Sequence, residues 1–206
     1  MRTLFQAAIF GMAIVAAANP GLTYAQEKSA RQIIAQVCSN CHGMDGNSIS
    51  PIFPKIAGQN KDYLVSQLNQ FRAQTRKDPD AHAYMWGLTR LLDDKSILAI
   101  AEYFAAQKPT PGPVAEAQIA SKGKAIYANG IEDKKVPACA TCHGTEAQGV
   151  AIFPRLAGQH ARYIVKQLKV YHTNDRPENA TIMQGVVQGL NDDEAALVAA
   201  YLQGLQ

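Results

Sequence analysis

The sequence predicts an all-α protein made of two similar halves. Apolar residues recur at the three- and four-residue spacing of helices that bury one face, and no stretch alternates apolar and polar residues long enough to indicate a sheet. Residues 53–59 reappear with few changes as residues 153–159, and residues 63–68 reappear as residues 163–168. An internal repeat on this scale indicates two domains in tandem.

The domain boundaries follow from local composition. Residues 1–25 combine one positive charge, an apolar run and small residues at the end, a pattern typical of a cleaved secretory signal peptide. The alternative is an uncleaved membrane anchor, but the run is shorter than the ~20 residues that a span needs. Residues 109–114 hold three prolines and a glycine, which cannot continue a helix. They predict a stiff linker between a first domain, residues 26–108, and a second domain, residues 115–206.

Each half contains its own amphipathic helices. The positions that share an apolar face are Ile34, Val37, Cys38 and Cys41, then Leu64, Leu68 and Phe71, then Ile97, Ile100, Ala101 and Phe104 in the first half, and Ile164, Leu168 and Tyr171, then Ala195, Val198, Ala199 and Leu202 in the second. Asn191, with Glu194 three residues later, predicts a capping box at the last helix. Residues 128–137 have no counterpart in the first half, and we expect them to form a surface insertion.

All four cysteines belong to two copies of one pentapeptide. The copies contain Cys38, Cys41 and His42, and then Cys139, Cys142 and His143. Two thiols at this spacing can form thioethers to the vinyl groups of a haem, and the adjacent histidine can then bind the iron. A redox dithiol needs no such histidine, and a zinc site would not explain a histidine at the same offset from both pairs. The sequence therefore predicts two covalently attached c-type haems, one in each half, with the histidines as proximal ligands.

The second axial ligand decides between electron transfer and catalysis, because an iron with two strong protein ligands has no open site. Met85 and Met183 occupy matching places, each seven residues before a leucine at the start of the last helix. A lone methionine is more often core filler, but two at equivalent positions predict ligation. His82 is the rival in the first half, although its counterpart in the second half is Ala180. Sulfur ligation favours ferrous iron and raises the reduction potential.

Two prolines and two further histidines lie in or near the repeated segments. Pro54 and Pro154 either direct a backbone carbonyl at Nδ1 of the proximal histidine, fixing its tautomer, or only shape their loops. His160 and His172 are expected to be exposed or packed in the core rather than bound to iron.

Together these motifs resemble the di-haem cytochrome c4 family, and the resemblance covers essentially all of the mature chain. It rests on the two Cys-x-x-Cys-His-Gly motifs, the two Phe-Pro-x-x-Ala-Gly-Gln segments, the two Tyr-x-x-x-Gln-Leu helices and the paired methionines. It implies two tandem cytochrome c-like domains related by pseudo-twofold symmetry, each wrapped around one haem. It also implies a periplasmic carrier that takes single electrons from a membrane quinol-oxidising complex to a terminal oxidase or reductase. One departure is local: residues 83–87, around the first methionine, are bulkier and more aromatic than residues 181–185. Either the two haems differ in potential and partners, or Trp86 simply packs on its haem.

Net charge limits the choice of partners. The formal charge of +3 becomes +2 when Arg2 leaves with the signal peptide, and the four propionates of two haems bring it to roughly 0 to −2. No basic patch is interleaved with aromatic residues, so a nucleic-acid partner is not expected. The expected partners are redox proteins, and peripheral association with the membrane is compatible with this assignment.

Two other functions fit the same residues. The chain could be the electron-transfer subunit of a larger dehydrogenase, such as a flavocytochrome that oxidises sulfide. It could also be a di-haem peroxidase-type enzyme, which requires one haem with an open site. We expect a carrier and no enzyme, because both halves have a methionine available and the sequence contains no nucleotide-binding loop or nucleophile triad.

Overall fold

The computed structural model describes residues 30–173, 175–176 and 181–206, and both halves are helical, as predicted. Within these ranges there is no β-strand, and isolated bridges pair Ile131 with Val136 and Val150 with Phe153. No helix in the same ranges combines the length and apolar character needed to cross a membrane. The predicted signal peptide, residues 1–25, lies outside the described residues.

The helices follow the same order in the two halves. The first half has a π-helical turn, Ile34–Cys38, that continues into α1 (Ser39–His42), then α2 (Lys61–Arg72), a second π-helical turn, Ala81–Met85, that continues into α3 (Trp86–Thr89), and α4 (Asp94–Ala105). The second half has α5 (Ala117–Asn129), a 3-10 turn (Glu132–Lys134), α6 (Ala140–His143), α7 (Ala161–Val170), α8 (Thr181–Val187) and α9 (Asp192–Gln203). Periodicity does not reveal the two π-helical turns, because each is a single turn of five residues and is too short to show a period of its own.

Each half has a core that includes residues from every predicted apolar face, together with buried residues outside those faces. The buried core residues are Ala30, Ile34, Leu64, Ile100, Ala101 and Phe104 in the first half and Tyr127, Ala147, Ala157, Ile164, Val198, Ala199 and Leu202 in the second. Helix α2 packs against α4, and α9 packs against α5 and α7. The predicted capping box is confirmed, because Asn191 accepts from the Glu194 N–H at 2.8 Å and the Glu194 carboxylate accepts from the Asn191 N–H at 3.0 Å.

Helices α5 and α9 approach each other closely at Gly123. A β-carbon at this position would overlap the carbonyl oxygen of Leu197 and would lie 2.7 Å from Cβ of Tyr201. Both approaches are closer than van der Waals contact, so the crossing requires a residue without a side chain. The crossing places the first helix of the second half directly on its last helix.

The insertion at residues 128–137 is more than a surface loop. Val136 is buried against the second half, and Nζ of Lys134 forms an ion pair of 2.5 Å with Glu194 at the start of α9. The expectation of a surface insertion is therefore wrong for Val136, whose apolar side chain gives this segment an anchor in the protein interior.

The segment predicted as a linker is held against both halves. Its Thr110 carbonyl accepts from Nζ of Lys55 at 2.8 Å, and its Gly112 N–H donates to the carbonyl of Gln203 at 2.7 Å. No helix forms between residues 108 and 116, as the prolines dictate. These bonds restrict how the two halves move relative to each other.

Candidate haem-binding site

A cavity of about 710 Å³ extends through both halves and is lined mainly by apolar side chains. All the residues predicted to attach a haem or to bind its iron line this cavity. They are Cys38, Cys41, His42 and Met85 from the first half and Cys139, Cys142, His143 and Met183 from the second. The structure therefore brings together the complete predicted set in each half.

Both predicted proximal histidines are buried and held by a proline carbonyl. Nδ1 of His42 lies 2.9 Å from the carbonyl oxygen of Pro54, and Nδ1 of His143 lies 2.9 Å from that of Pro154. Because a carbonyl can only accept, Nδ1 carries the proton and Nε2 is left as the nitrogen available to a metal. Of the two interpretations offered for the prolines, the carbonyl contact is confirmed in both halves.

Burial also keeps these histidines in the form that binds metal. Loss of solvent lowers the pKa of His42 and of His143, and the hydrogen bonds to the proline carbonyls oppose this only in part. A lowered pKa favours the neutral imidazole, and the neutral imidazole is the metal ligand. The electrostatics of the site and its geometry therefore agree.

The surroundings of Cys38 and Cys139 do not favour a redox dithiol. Burial raises the pKa of Cys38 and of Cys139 to about 11, whereas reactive Cys-x-x-Cys motifs hold a thiol of lowered pKa. Among the residues that the structure describes, no three His, Cys, Asp or Glu side chains form a group arranged to hold a metal ion.

The two methionines lie in helical turns. Met85 ends the π-helical turn before α3, and Met183 lies in α8; both are half-buried and line the cavity. The rival ligand His82 is exposed, with its ring edge-on to Trp86 at 4.6 Å, and neither residue lines the cavity. Nε1 of Trp86 donates to the carbonyl of Arg76 at 2.8 Å, so this side chain fixes the loop that contains Arg76. Trp86 does not line the haem cavity, which argues against the interpretation that it packs on the haem.

The other two histidines follow the prediction made for them. His172 is exposed, whereas His160 is buried and its Nε2 lies 2.8 Å from the carbonyl oxygen of Ser48 in the other half. His160 is therefore a contact between the two halves.

Reciprocal glutamines also join the halves. Gln159 accepts from the Lys55 N–H at 2.9 Å and donates to the Lys55 carbonyl at 2.8 Å. Gln59 accepts from the Arg155 N–H at 2.7 Å and donates to the Arg155 carbonyl at 2.9 Å. Each glutamine thus pairs with the residue that follows the histidine-binding proline of the other half.

A buried pair of arginines lies between the halves. Arg76 donates to Oε1 of Gln67 at 2.7 Å and of Gln167 at 3.0 Å, and its Nε pairs with Asp78 at 2.7 Å. Arg176 donates to Oε1 of Gln167 at 2.8 Å and of Gln67 at 2.9 Å. This cluster was not predicted from the sequence. The signal that could have indicated it is that Arg76 and Arg176 are separated by the same interval as the repeated residues Gln67 and Gln167.

The polar groups of the cavity suit a ligand that carries carboxylates. Nε of Arg155 and Nε2 of Gln167 are buried donors with no hydrogen-bond partner among the described residues, and both side chains line the cavity together with Arg76 and Arg176. A haem combines an apolar ring with two propionates that accept hydrogen bonds. The residues present therefore fit a haem on both counts.

Two similar helical halves, each presenting a Cys-x-x-Cys-His turn and a methionine to a shared cavity, define a tandem c-type haem protein. Comparison with known proteins agrees with this class. The family model for cytochrome c matches residues 27–108 and residues 120–206. Cytochrome c4 of Thiocapsa roseopersicina is 40% identical over 173 residues, which cover 82% of this chain and 87% of that protein.

One solved structure and a differently named relative extend the comparison. The structure of Acidithiobacillus ferrooxidans cytochrome c4 is 40% identical, with a TM-score of 0.76 over 82% of this chain and 98% of that one. A thiosulfate dehydrogenase electron acceptor from Thiomonas intermedia is 32% identical over 173 residues, which cover 82% of this chain and 78% of that protein. The chain belongs to the cytochrome c family, within its di-haem cytochrome c4 group. It is an electron carrier of two tandem cytochrome c domains, each with one covalently bound c-type haem.

Proposed function

We propose that this cytochrome carries single electrons in the periplasm with both irons closed between a histidine and a methionine. The ligands are His42 and Met85 in the first half and His143 and Met183 in the second, and the thioethers form at Cys38, Cys41, Cys139 and Cys142. The haem supplies the redox-active iron. The chain attaches it, orients the proximal imidazole and excludes water from the apolar cavity.

The observation that carries this proposal is the matched pair of ligands along one cavity. In each half a histidine with its Nδ1 bound to a proline carbonyl and a half-buried methionine line the same space. An iron with both axial positions filled has no site for a substrate, and its ligands change little when an electron arrives. This arrangement supports a carrier and no enzymatic activity.

Carbon monoxide tests whether the irons are closed. We expect the reduced holo-protein to show no spectral change under carbon monoxide, and the oxidised protein to show the weak band at the red edge of the visible spectrum that accompanies methionine ligation. An open haem of the peroxidase kind would bind carbon monoxide in the reduced state. Such binding at either haem would contradict the proposal for that half.

Electrons would be exchanged where the cavity reaches the surface. Ile52, Tyr84 and Leu88 in the first half and Ile152 and Ile182 in the second are exposed and also line the cavity. Apolar side chains around a redox centre support short-lived contact with another redox protein. Having such groups in both halves would allow one half to receive the electron and the other to pass it on.

The donor that we propose is a membrane quinol-oxidising complex, and the acceptor is a terminal oxidase or reductase. A second candidate donor is a thiosulfate dehydrogenase, which the name of the Thiomonas intermedia relative favours. The test mixes oxidised holo-protein with thiosulfate and thiosulfate dehydrogenase, and separately with quinol and the membrane complex. Rapid reduction only by the complex supports the first donor, and rapid reduction only by the dehydrogenase supports the second.

A further inference from the structure

A single peptide group in each half contacts both the proximal histidine and the opposite half. The carbonyl of Pro54 accepts from His42 at 2.9 Å, and the N–H of the same peptide group, on Lys55, donates to Oε1 of Gln159 at 2.9 Å. In the second half, the peptide between residues 154 and 155 accepts from His143 at 2.9 Å and donates to Gln59 at 2.7 Å. The two arrangements are reciprocal.

The two ends of a peptide group influence each other. When its N–H donates a hydrogen bond, the group becomes more polarised and its carbonyl oxygen becomes a better acceptor. A better acceptor draws the Nδ1 proton of the bound histidine more strongly, which makes the imidazole a stronger donor to iron. A stronger imidazole donor stabilises ferric iron over ferrous iron and so lowers the reduction potential.

The surroundings fix both glutamines in the accepting orientation. Oε1 of Gln159 also accepts from the His160 N–H at 3.0 Å, and that of Gln59 accepts from the Asn60 N–H at 2.9 Å. The opposite end of each amide donates to a backbone carbonyl of the other half. Both side chains are buried, at 7% and 6% exposure, which limits the replacement of the bond by water.

We infer that each glutamine is a positioning residue for the haem of the opposite half. Gln159 lowers the potential of the first haem through the Pro54–Lys55 peptide, and Gln59 lowers that of the second haem through the Pro154–Arg155 peptide. Contact between the halves is thereby part of what sets each potential. This inference rests on the proposed assignment of His42 and His143 as iron ligands.

The test is a redox titration of the holo-protein and of the reciprocal variants Gln159→Leu and Gln59→Leu, with the two haems resolved by NMR of their methyl groups. In Gln159→Leu we expect the ferric-to-ferrous equilibrium of the first haem to move about three- to tenfold toward ferrous, and tenfold corresponds to about 59 mV. The second haem should stay unchanged. Gln59→Leu should show the converse.

A second readout follows the hydrogen bond itself. In the reduced, diamagnetic protein, the Nδ1 proton of His42 should move upfield in Gln159→Leu, because its bond to Pro54 weakens. His160→Asn is the matched control, since it alters a contact to Ser48 that involves neither histidine-binding peptide. This control should leave the potential difference between the haems unchanged.

Equal shifts of both haems in both variants would overturn the inference, because they would reflect a loosened interface. Unchanged potentials in folded variants would also overturn it. If Gln159→Leu fails to fold, Gln159→Glu is the second variant, because it keeps the accepting oxygen. It should leave the potential of the first haem at or below its original value, and a raised potential would contradict the inference. Failure of the ligand assignment would instead appear in the unmodified protein, as carbon monoxide binding or absence of the red-edge band.

Discussion

Nη2 of Arg176 lies 2.9 Å from Oε1 of Gln67 in the other half of the molecule. Arg76 makes the equivalent contact with Gln167 at 3.0 Å, so the halves are joined by a crossed pair of guanidinium–amide hydrogen bonds. Both arginines are buried, with 4% of their surface exposed. Charges in such surroundings are tolerated only with partners, which makes this cluster sensitive to substitution.

Replacing Arg76 by leucine should destabilise the protein strongly. The change leaves the fully buried carboxylate of Asp78 without its cation, and breaking a buried pair typically costs roughly 3–5 kcal/mol. Urea unfolding of the holo-protein measures the effect. The double variant Arg76→Leu/Asp78→Leu is the control and should recover much of the loss. A single variant as stable as the original would show that the pair contributes nothing.

Replacing Met85 by histidine should lower the potential of the first haem. Nitrogen ligation removes the preference of sulfur for ferrous iron, and we expect a fall of roughly 100 mV or more, within the ≈0.8 V range that axial ligands cover. A spectroscopic redox titration measures it. Met183→His is the matched variant and should lower only the second potential. A titration that Met85→His leaves unchanged would mean that Met85 is not on the iron.

The candidate haem sites could be predicted from the sequence because their signals are local. A pentapeptide carries the thiols and the predicted proximal histidine, and the repeat favours Met85 over His82 as the predicted second ligand. The burial of Leu64 and Ile100 and their equivalents in the second half follows from helical spacing. Each of these predictions needs only neighbouring residues or a comparison of the two halves.

The contact between the halves could not be predicted from such local signals. Gln67 and Gln159 are visible as repeated residues, but their partners are distant in the chain, and no periodicity indicates which polar side chains become buried together. Arg76 has the sequence appearance of a solvated surface residue and is instead 4% exposed. Val136 was missed for the same reason, since its burial depends on how the insertion packs against the second half.

Acid should weaken the fold through His160. Burial lowers the pKa of this residue, the nearby Lys55 lowers it further, and the hydrogen bond to Ser48 opposes both. A lowered pKa in the folded state means that the unfolded chain takes up the proton first as the pH falls below 6.5. Stability should therefore decrease as the pH falls from neutrality through about 6.5, the ordinary pKa of histidine in the unfolded chain. His160→Asn, which installs the residue of the first half, should flatten this slope when both proteins are unfolded by urea across the range, and an identical slope would contradict the assignment.

Replacing Gly123 by alanine should separate α5 from α9. The new β-carbon would meet backbone and Cβ atoms that cannot move aside alone, and overpacking of this kind typically costs about 1–3 kcal/mol or more. Gly185→Ala in α8 is the control, since a β-carbon there would have no atom within 4 Å apart from its chain neighbours and its own helix backbone. Alanine at residue 185 should stabilise by about 0.5–1 kcal/mol. Thermal unfolding compares the two, and equal melting temperatures would contradict the close crossing.

X-ray absorption at the iron edge of the oxidised holo-protein tests the central claim most directly. The claim is that each half holds its iron between an imidazole nitrogen and a thioether sulfur. It predicts five nitrogen neighbours and one sulfur neighbour for every iron. A spectrum with one sulfur for every two irons, or with none, would show that at least one half is not closed by its methionine.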